Sequence, residues 1–481
     1  MAVDEQQLKD IVQKVLIKLQ DNMQSKDDGS FKPDRVQAVD PQNGRYGQPG
    51  IFEDMNEAIA AAKKAQAVMQ RLSVDSREKI ISNIRKKTLE NAGLMARMGV
   101  EETGMGNVGH KTLKHQLVAE KTPGTEDLIT TAWSGDRGLT LVEMGPFGVI
   151  GAITPCTNPS ETVICNSIGM IAGGNTAVFN PHPAAVRVSN YAVSLVNEAS
   201  LEAGGPENIA VSVMKPTLDT GNIMMKHKDI PLLVATGGPG VVTTVLSSGK
   251  RGIGAGAGNP PVLVDETADI KKAAADIVNG ATFDNNLPCI AEKEIVAVDE
   301  IADELIHHLI DNGCYVINKE EQDKLVRLVL PEHKLNRDCV GRDARTLLGL
   351  IGIDAPESTR CIIFEGEKEH PLIAEELMMP ILGIVRAKDV DDGIGKAVWL
   401  EHGNRHSAHM HSKSVDNLTK YGKAVDTAIF VKNAPSYAAL GFGGEGYCTF
   451  TIASRTGEGL TSARTFTKQR RCVLADSLCI R

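Results

Sequence analysis

Residues 146–159 read PFGVIGAITPCTNP. The apolar run from Val149 to Ile153 is too short for a core helix and is broken by Pro155, so it reads as a strand buried on both faces. Working outward, strands and helices alternate. Leu139 to Met144 reads as a strand before it and Ser160 to Ala172 as a helix after it. NTAVFNP (175–181) is then a strand, Ala185 to Glu202 a helix, Ile209 to Met214 a strand and Gly221 to Lys226 a short helix. PLLVATGG (231–238) is a strand running into a glycine turn. This rhythm implies an α/β fold in which helices cover a parallel sheet and ligands bind beyond the strand carboxyl ends. A second series begins near Pro261, with PVLVDE, a helix over 268–280, EIVAVDE and a helix over 301–312. It continues through strands at Cys361 to Phe364, Ile381 to Arg386 and Ala428 to Val431. Two parallel-sheet domains are therefore expected, with the active site in the cleft between them.

The amino-terminal segment differs. Leu8, Ile11, Val12, Val15, Leu16 and Leu19 fall on one helical stripe, and Gln20 to Pro33 is a polar stretch. Residues 1–19 thus read as an amphipathic helix and 20–35 as a flexible linker. A tethered helix of this length gains order by docking its stripe on a partner.

Of the 481 residues, 46 are glycine and only 4% are aromatic, and the net charge is -9. Little stacking surface and no net basic charge argue against nucleic-acid binding. No apolar run is long enough to span a bilayer, and the acidic start at Asp4, Glu5 and Asp10 excludes a secretory signal. The nine cysteines are scattered, with no CxxC pair and no metal-ligand spacing, which suits a reducing compartment without structural zinc.

Three segments could carry chemistry. In FDNNLPCIAEKE (283–294) a loop presents Cys289, although one cysteine among nine is a weak signal. In ITPCTNP, Asn158 follows a strand end and precedes a helix, where its amide could serve an oxyanion or merely cap the helix. In ATGGPG (235–240) a glycine turn between strand and helix can receive a phosphate. GKRGIGAGAGNPP (249–261) lacks a P-loop ending and reads as the tight link between domains. His402, His406, His409 and His411 lack carboxylates at useful spacing, so no metal is expected.

Together, PFGVIGAITPCTNP, ATGGPG, GAGAGNPPVLVDETADI, FDNNLPCIAEKE and EELMMPILGIV resemble the aldehyde dehydrogenase superfamily in order and spacing, from about residue 36 onward. The resemblance implies that Cys289 is the nucleophile and Asn158 an oxyanion donor. It places the cofactor against Thr154, Pro155, Asn180, His182, Gly237, Gly238 and Glu376. It also implies a dinucleotide- and CoA-binding domain over 36–136 and 146–259, a catalytic domain over 260–445, and an oligomerisation arm from 137–145 and 462–481, hence a homo-oligomer. Hydrolytic members carry a general-base glutamate 34 residues before the cysteine; here that position is Ala255 (289 − 34). Without that base the acyl group waits for a thiol, which resembles the CoA-acylating branch. FDNNLPCIAEKE, TIASRTGEGLTSARTF and TKQRRCVL look like the propionaldehyde dehydrogenases of propanediol-utilisation microcompartments, with the acetaldehyde enzymes of the ethanolamine pathway close behind. The expected reaction is NAD-dependent oxidation of a short-chain aldehyde to acyl-CoA. The N-terminal helix resembles peptides that dock on shell proteins, which implies residence inside a microcompartment in the bacterial cytoplasm. Asn180–Pro181–His182–Pro183 lacks the lysine and glutamate with which hydrolytic relatives hold the adenosine ribose, so NAD is implied by resemblance alone.

Overall fold

A computed structural model describes residues 48–480. The expected helix over 1–19 and linker over 20–35 lie outside the described residues. Two sheets, both parallel throughout, organise the rest. The first has strand order 51–52, 210–213, 176–181, 149–154, 232–236, 251–255. The second has order 314–316, 361–365, 381–387, 294–298, 261–264, 407–411, 429–432.

Each sheet is covered on both faces, which is why its strands read as apolar runs without alternation. Ile150 and Ala152 pack with Ile164 and Ile168 of the helix Pro159–Ala172, whereas Val149 meets Ile59 of the helix Met55–Met69 on the other face. Ile295 and Val296 split in the same way between the two cores of the second sheet. Leu232, Leu233 and Val234 are fully buried, and such burial stabilises by about 1.5–3 kcal/mol per side chain.

Local signals set the element ends. Ser73 caps the helix Val74–Thr103 by accepting from the Ser76 N–H, and Gly104 closes it with φ +68°, a left-handed turn that glycine makes without strain. The stretch 249–261 departs from its reading as a link. Arg251–Ala255 is a strand at the edge of the first sheet, and only the residues after it connect the sheets. Its two glycines, Gly252 and Gly254, hid a strand whose pairing with 232–236 depends on the sheet already in place.

The chain leaves the strand Val149–Thr154 for neighbours on one side (176–181, then 210–213) and later returns to the other (232–236). This reversal opens a crevice beyond Thr154 and Thr236, the usual ligand position in such sheets. A third, antiparallel sheet joins 131–135, 138–146 and 467–475. No helix among the described residues is long and apolar enough to cross a membrane.

Candidate active site

A cavity of about 580 Å³ opens where the carboxyl ends of the first sheet face the second. Its walls include Pro155, Cys156, Asn158, His182, Gly237, Gly238, Ala255, Cys289, Glu376 and His406. The structure thus brings together seven of the nine residues expected at the site. Thr154 and Asn180 do not line the cavity. Thr154 is buried, and Asn180 turns inward to accept from Thr220 Oγ1 at 2.7 Å, fixing the helix Leu218–Lys226.

Asn158 occupies the N-cap position of the helix Pro159–Ala172, yet its side chain makes no capping bond. Instead Oδ1 accepts from Lys114 Nζ at 2.6 Å. The capping alternative therefore gives way to an amide anchored by its oxygen.

The loop that leads to Cys289 is held more tightly than a polar loop suggests. Asp284, Asn285 and Asn286 have φ of +50°, +55° and +68°, three left-handed residues in a row. Asp and Asn tolerate this region best among non-glycine residues, at a cost of order 1 kcal/mol each. The surroundings compensate. Asp284 Oδ1 accepts from the Asn107 N–H, Asn285 Nδ2 donates to Gly341 O, and Asn286 Nδ2 donates to Ala281 O and Glu292 O. Lys293 Nζ donates to Asn286 Oδ1 at 2.6 Å. The chain then turns through Leu287 and Pro288 to present Cys289.

Burial, reinforced by the negative charge of Glu376, pushes the Cys289 thiol up to about 12, and Lys293 opposes them. The thiol is protonated at rest, so attack on an electrophile must be coupled to loss of that proton. His406 lines the same cavity. Burial brings its imidazole down to about 4, so it is neutral near pH 7. Nδ1 lies 3.0 Å from Ser407 Oγ, and Nε2 is buried with no partner. Sequence reading had grouped it with three other histidines. His402 bonds Ala374 O, while His409 and His411 are buried in the strand Ser407–His411 and His409 lies near His406. The alternation of SAHMH was the available signal.

Ala255 ends the edge strand Arg251–Ala255 and faces the cavity with a methyl group. A Cβ at Gly237, Gly238 or Gly240 would meet no protein atom within 4 Å. Packing does not require glycine there, whereas a phosphate laid on the turn at the start of the helix Pro239–Leu246 would.

Behind the loop, Glu292 is fully buried, accepts from the Ser436 N–H at 2.8 Å and packs on Gly280. Burial raises its carboxyl to about 7. A raised folded value means that its contribution to stability is complete below the ordinary carboxylate range and is lost as pH rises through about 7. Glu292→Gln should therefore remove up to about 3 kcal/mol of the alkaline destabilisation. Thermal unfolding should show a higher Tm for the variant at pH 9 and little difference at pH 5. A Tm gap that does not depend on pH would refute this.

Comparison with known proteins gives the family. Residues 40–324 match the model of the aldehyde dehydrogenase family. Over 433 residues, 90% of this chain and 94% of the relative, the sequence is 46% identical to a CoA-propanoylating propanal dehydrogenase of Citrobacter freundii. The structure is similar to a propionaldehyde dehydrogenase from the Clostridium phytofermentans fucose utilisation bacterial microcompartment, with TM-score 0.89 and 77% identity, covering 90% of this chain and 100% of that one. A propionaldehyde dehydrogenase of Rhodopseudomonas palustris, solved with bound CoA and an acylated cysteine, gives TM-score 0.89 at 55% identity over 90% of this chain and 99% of that one. The chain belongs to the aldehyde dehydrogenase family.

Proposed function

We propose that this chain oxidises a short-chain aldehyde, propionaldehyde foremost, to acyl-CoA through a thioester on Cys289. The observation that carries the reading is Ala255, a methyl group facing the cavity at the position of the hydrolytic base. Cys289 attacks the carbonyl carbon as its thiol proton passes to His406 Nε2. The oxyanion that forms accepts from Asn158 Nδ2 and the Cys289 N–H, and one such donor is worth about 3 kcal/mol in the transition state. Bound NAD supplies the hydride acceptor and, when oxidised, a cationic ring that favours the thiolate. Gly237 and Gly238 would receive its pyrophosphate, His182 would lie toward the adenosine end, and Glu376 would take the nicotinamide ribose. Hydride loss from the former carbonyl carbon leaves the thioester. No side chain at Ala255 can activate water, so the thiol of CoA attacks, releasing its proton to solvent, and the Cys289 thiolate departs with its proton restored from His406. No metal enters this reaction scheme.

The similar proteins named above act on propanal, which favours a C3 substrate, and one comes from a microcompartment. The apolar stripe of residues 1–19 supports docking on a shell protein, and hence residence inside a microcompartment of the bacterial cytoplasm. Trp133, Val473 and Leu474 are exposed on the antiparallel arm, which supports a homo-oligomer. The test is NADH formation from propionaldehyde with and without CoA. With CoA, turnover should be steady; without it, about one NADH per active site should appear before the reaction stalls. Steady propionate production without CoA would overturn the acylating reading. In the same assay a chain starting at residue 21 should keep its turnover but no longer sediment with shells; continued sedimentation would remove the targeting role.

A further inference from the structure

Beside the cavity lies a group of charges that the reaction scheme above does not use. Lys114, Glu161 and Asp284 are fully buried and Lys111 is 1% exposed. The helix Val108–Lys121 supplies both lysines, the helix Pro159–Ala172 supplies Glu161, and the nucleophile loop supplies Asp284. Lys114 Nζ lies 2.5 Å from Asp284 Oδ2, 3.0 Å from Glu161 Oε1 and 2.6 Å from Asn158 Oδ1. Lys111 Nζ reaches Asp284 Oδ2 at 3.1 Å and Thr157 O at 3.0 Å. Two lysines face two carboxylates, so the group is balanced in formal charge.

We propose that Lys114 is a positioning residue for acylation, orienting the Asn158 amide so that its N–H, and not its oxygen, faces the oxyanion formed on Cys289. This rests on the reading of Asn158 as an oxyanion donor. The two ends of a carboxamide have nearly the same shape, so packing alone barely distinguishes them. An ammonium group has three donors and no acceptor, so only Oδ1 can face Lys114. Nδ2 then points away, with only a long 3.4 Å contact to Thr157 Oγ1. A flipped amide would aim a carbonyl oxygen at the developing negative charge, replacing attraction with repulsion.

The cluster also ties two elements whose spacing the reaction requires. Asp284 precedes Cys289 by five residues (289 − 284) on a loop of left-handed backbone, and Lys114 bonds both it and Asn158. Lys111 and the Asn107 N–H also bond Asp284, so the loop before Cys289 keeps its anchors when Lys114 is replaced. Burial works against the charge on Lys114, but Asp284 and Glu161 together hold its pKa above the usual lysine range. The ammonium therefore stays charged across the working pH range.

The experiment is a double-mutant cycle in the full chain, reading the single-turnover rate of NADH formation. Asn158→Ala should slow acylation by about 10²–10³-fold, the usual loss for one oxyanion donor. Lys114→Met should slow it by at least about tenfold, and the double variant should be no slower than Asn158→Ala within about threefold, since only one donor is lost. KM for the aldehyde and the NAD dissociation constant should change by less than about threefold, which a general loosening of the fold would not allow. If Lys114→Met does not fold, Lys114→Met with Glu161→Gln removes one charge of each sign and carries the same cycle. Losses that multiply, or a wild-type rate in the Lys114 variant, would overturn the proposal while leaving Asn158 in its role. A wild-type rate for Asn158→Ala would instead remove the oxyanion reading itself, and the proposal with it.

Discussion

Cys289→Ala is expected to bring CoA- and aldehyde-dependent NADH formation to background, a loss on the order of 10⁴–10⁶-fold in kcat. The size follows from the chemistry. Without the sulfur no thioester forms, and the alternative is direct hydride loss from a hydrated aldehyde with only a weak base to assist it. Ala255 offers only a methyl group, and the neutral His406 is a weak base with a pKa of about 4. Nucleotide binding should persist, because Gly237, Gly238 and Glu376 are untouched; titration of NAD against intrinsic tryptophan fluorescence would check it. Residual activity within a hundredfold of the parent would mean that another thiol carries the acyl group. Cys156 is then the one to replace, since it lines the same cavity.

The second large effect concerns stability. Asp284→Asn should destabilise the protein by about 3–5 kcal/mol, because it leaves Lys111 and Lys114 buried with Glu161 as the remaining carboxylate. Removing one partner of a buried ionic group costs far more than the intact group contributes, since the other partner's desolvation is no longer offset. Adding Lys111→Met to Asp284→Asn restores neutrality and should recover at least half of the loss. Denaturant unfolding at pH 7 would measure both. A single-variant loss under 1 kcal/mol, or no recovery in the double variant, would show that solvent reaches the cluster. Glu161 titrates with the same cluster. Burial opposes its charge, but Lys114 holds its carboxyl down to about 2, so its contribution is present above the ordinary carboxylate range and lost only as pH falls toward 2.

Much of this was legible in the chain. The strands at 149–154, 176–181, 232–236, 261–264 and 294–298 are continuous apolar runs bounded by turn residues, and parallel sheets buried on both faces produce that pattern. Where glycine diluted the run, at Arg251–Ala255, the strand was read as a link. Where polar residues alternated within a strand, in SAHMH, a histidine cluster hid it. His406, just before that strand, was considered only as one of the four histidines, since its value lies in the cavity it faces and not in its neighbours along the chain.

Cys289, Asn158 and Ala255 could be singled out from motif order, because a nucleophile, a donor and a missing base are matters of residue identity at fixed spacing. Lys111, Lys114 and Asp284 could not. Lysine on an amphipathic helix is ordinarily a solvated side chain, and the cost of burying it is borne only if a carboxylate more than 150 residues away in the chain arrives beside it. Thr154 and Asn180 show the converse: well placed in sequence, they are turned from the cavity by contacts that exist only after folding. Local periodicity thus carried the fold class, and motif order carried the proposed reacting residues. The orientation of the Asn158 amide, the proton state of Cys289 and the company of His406 were settled by tertiary structure, because long-range packing alone sets burial and charge proximity.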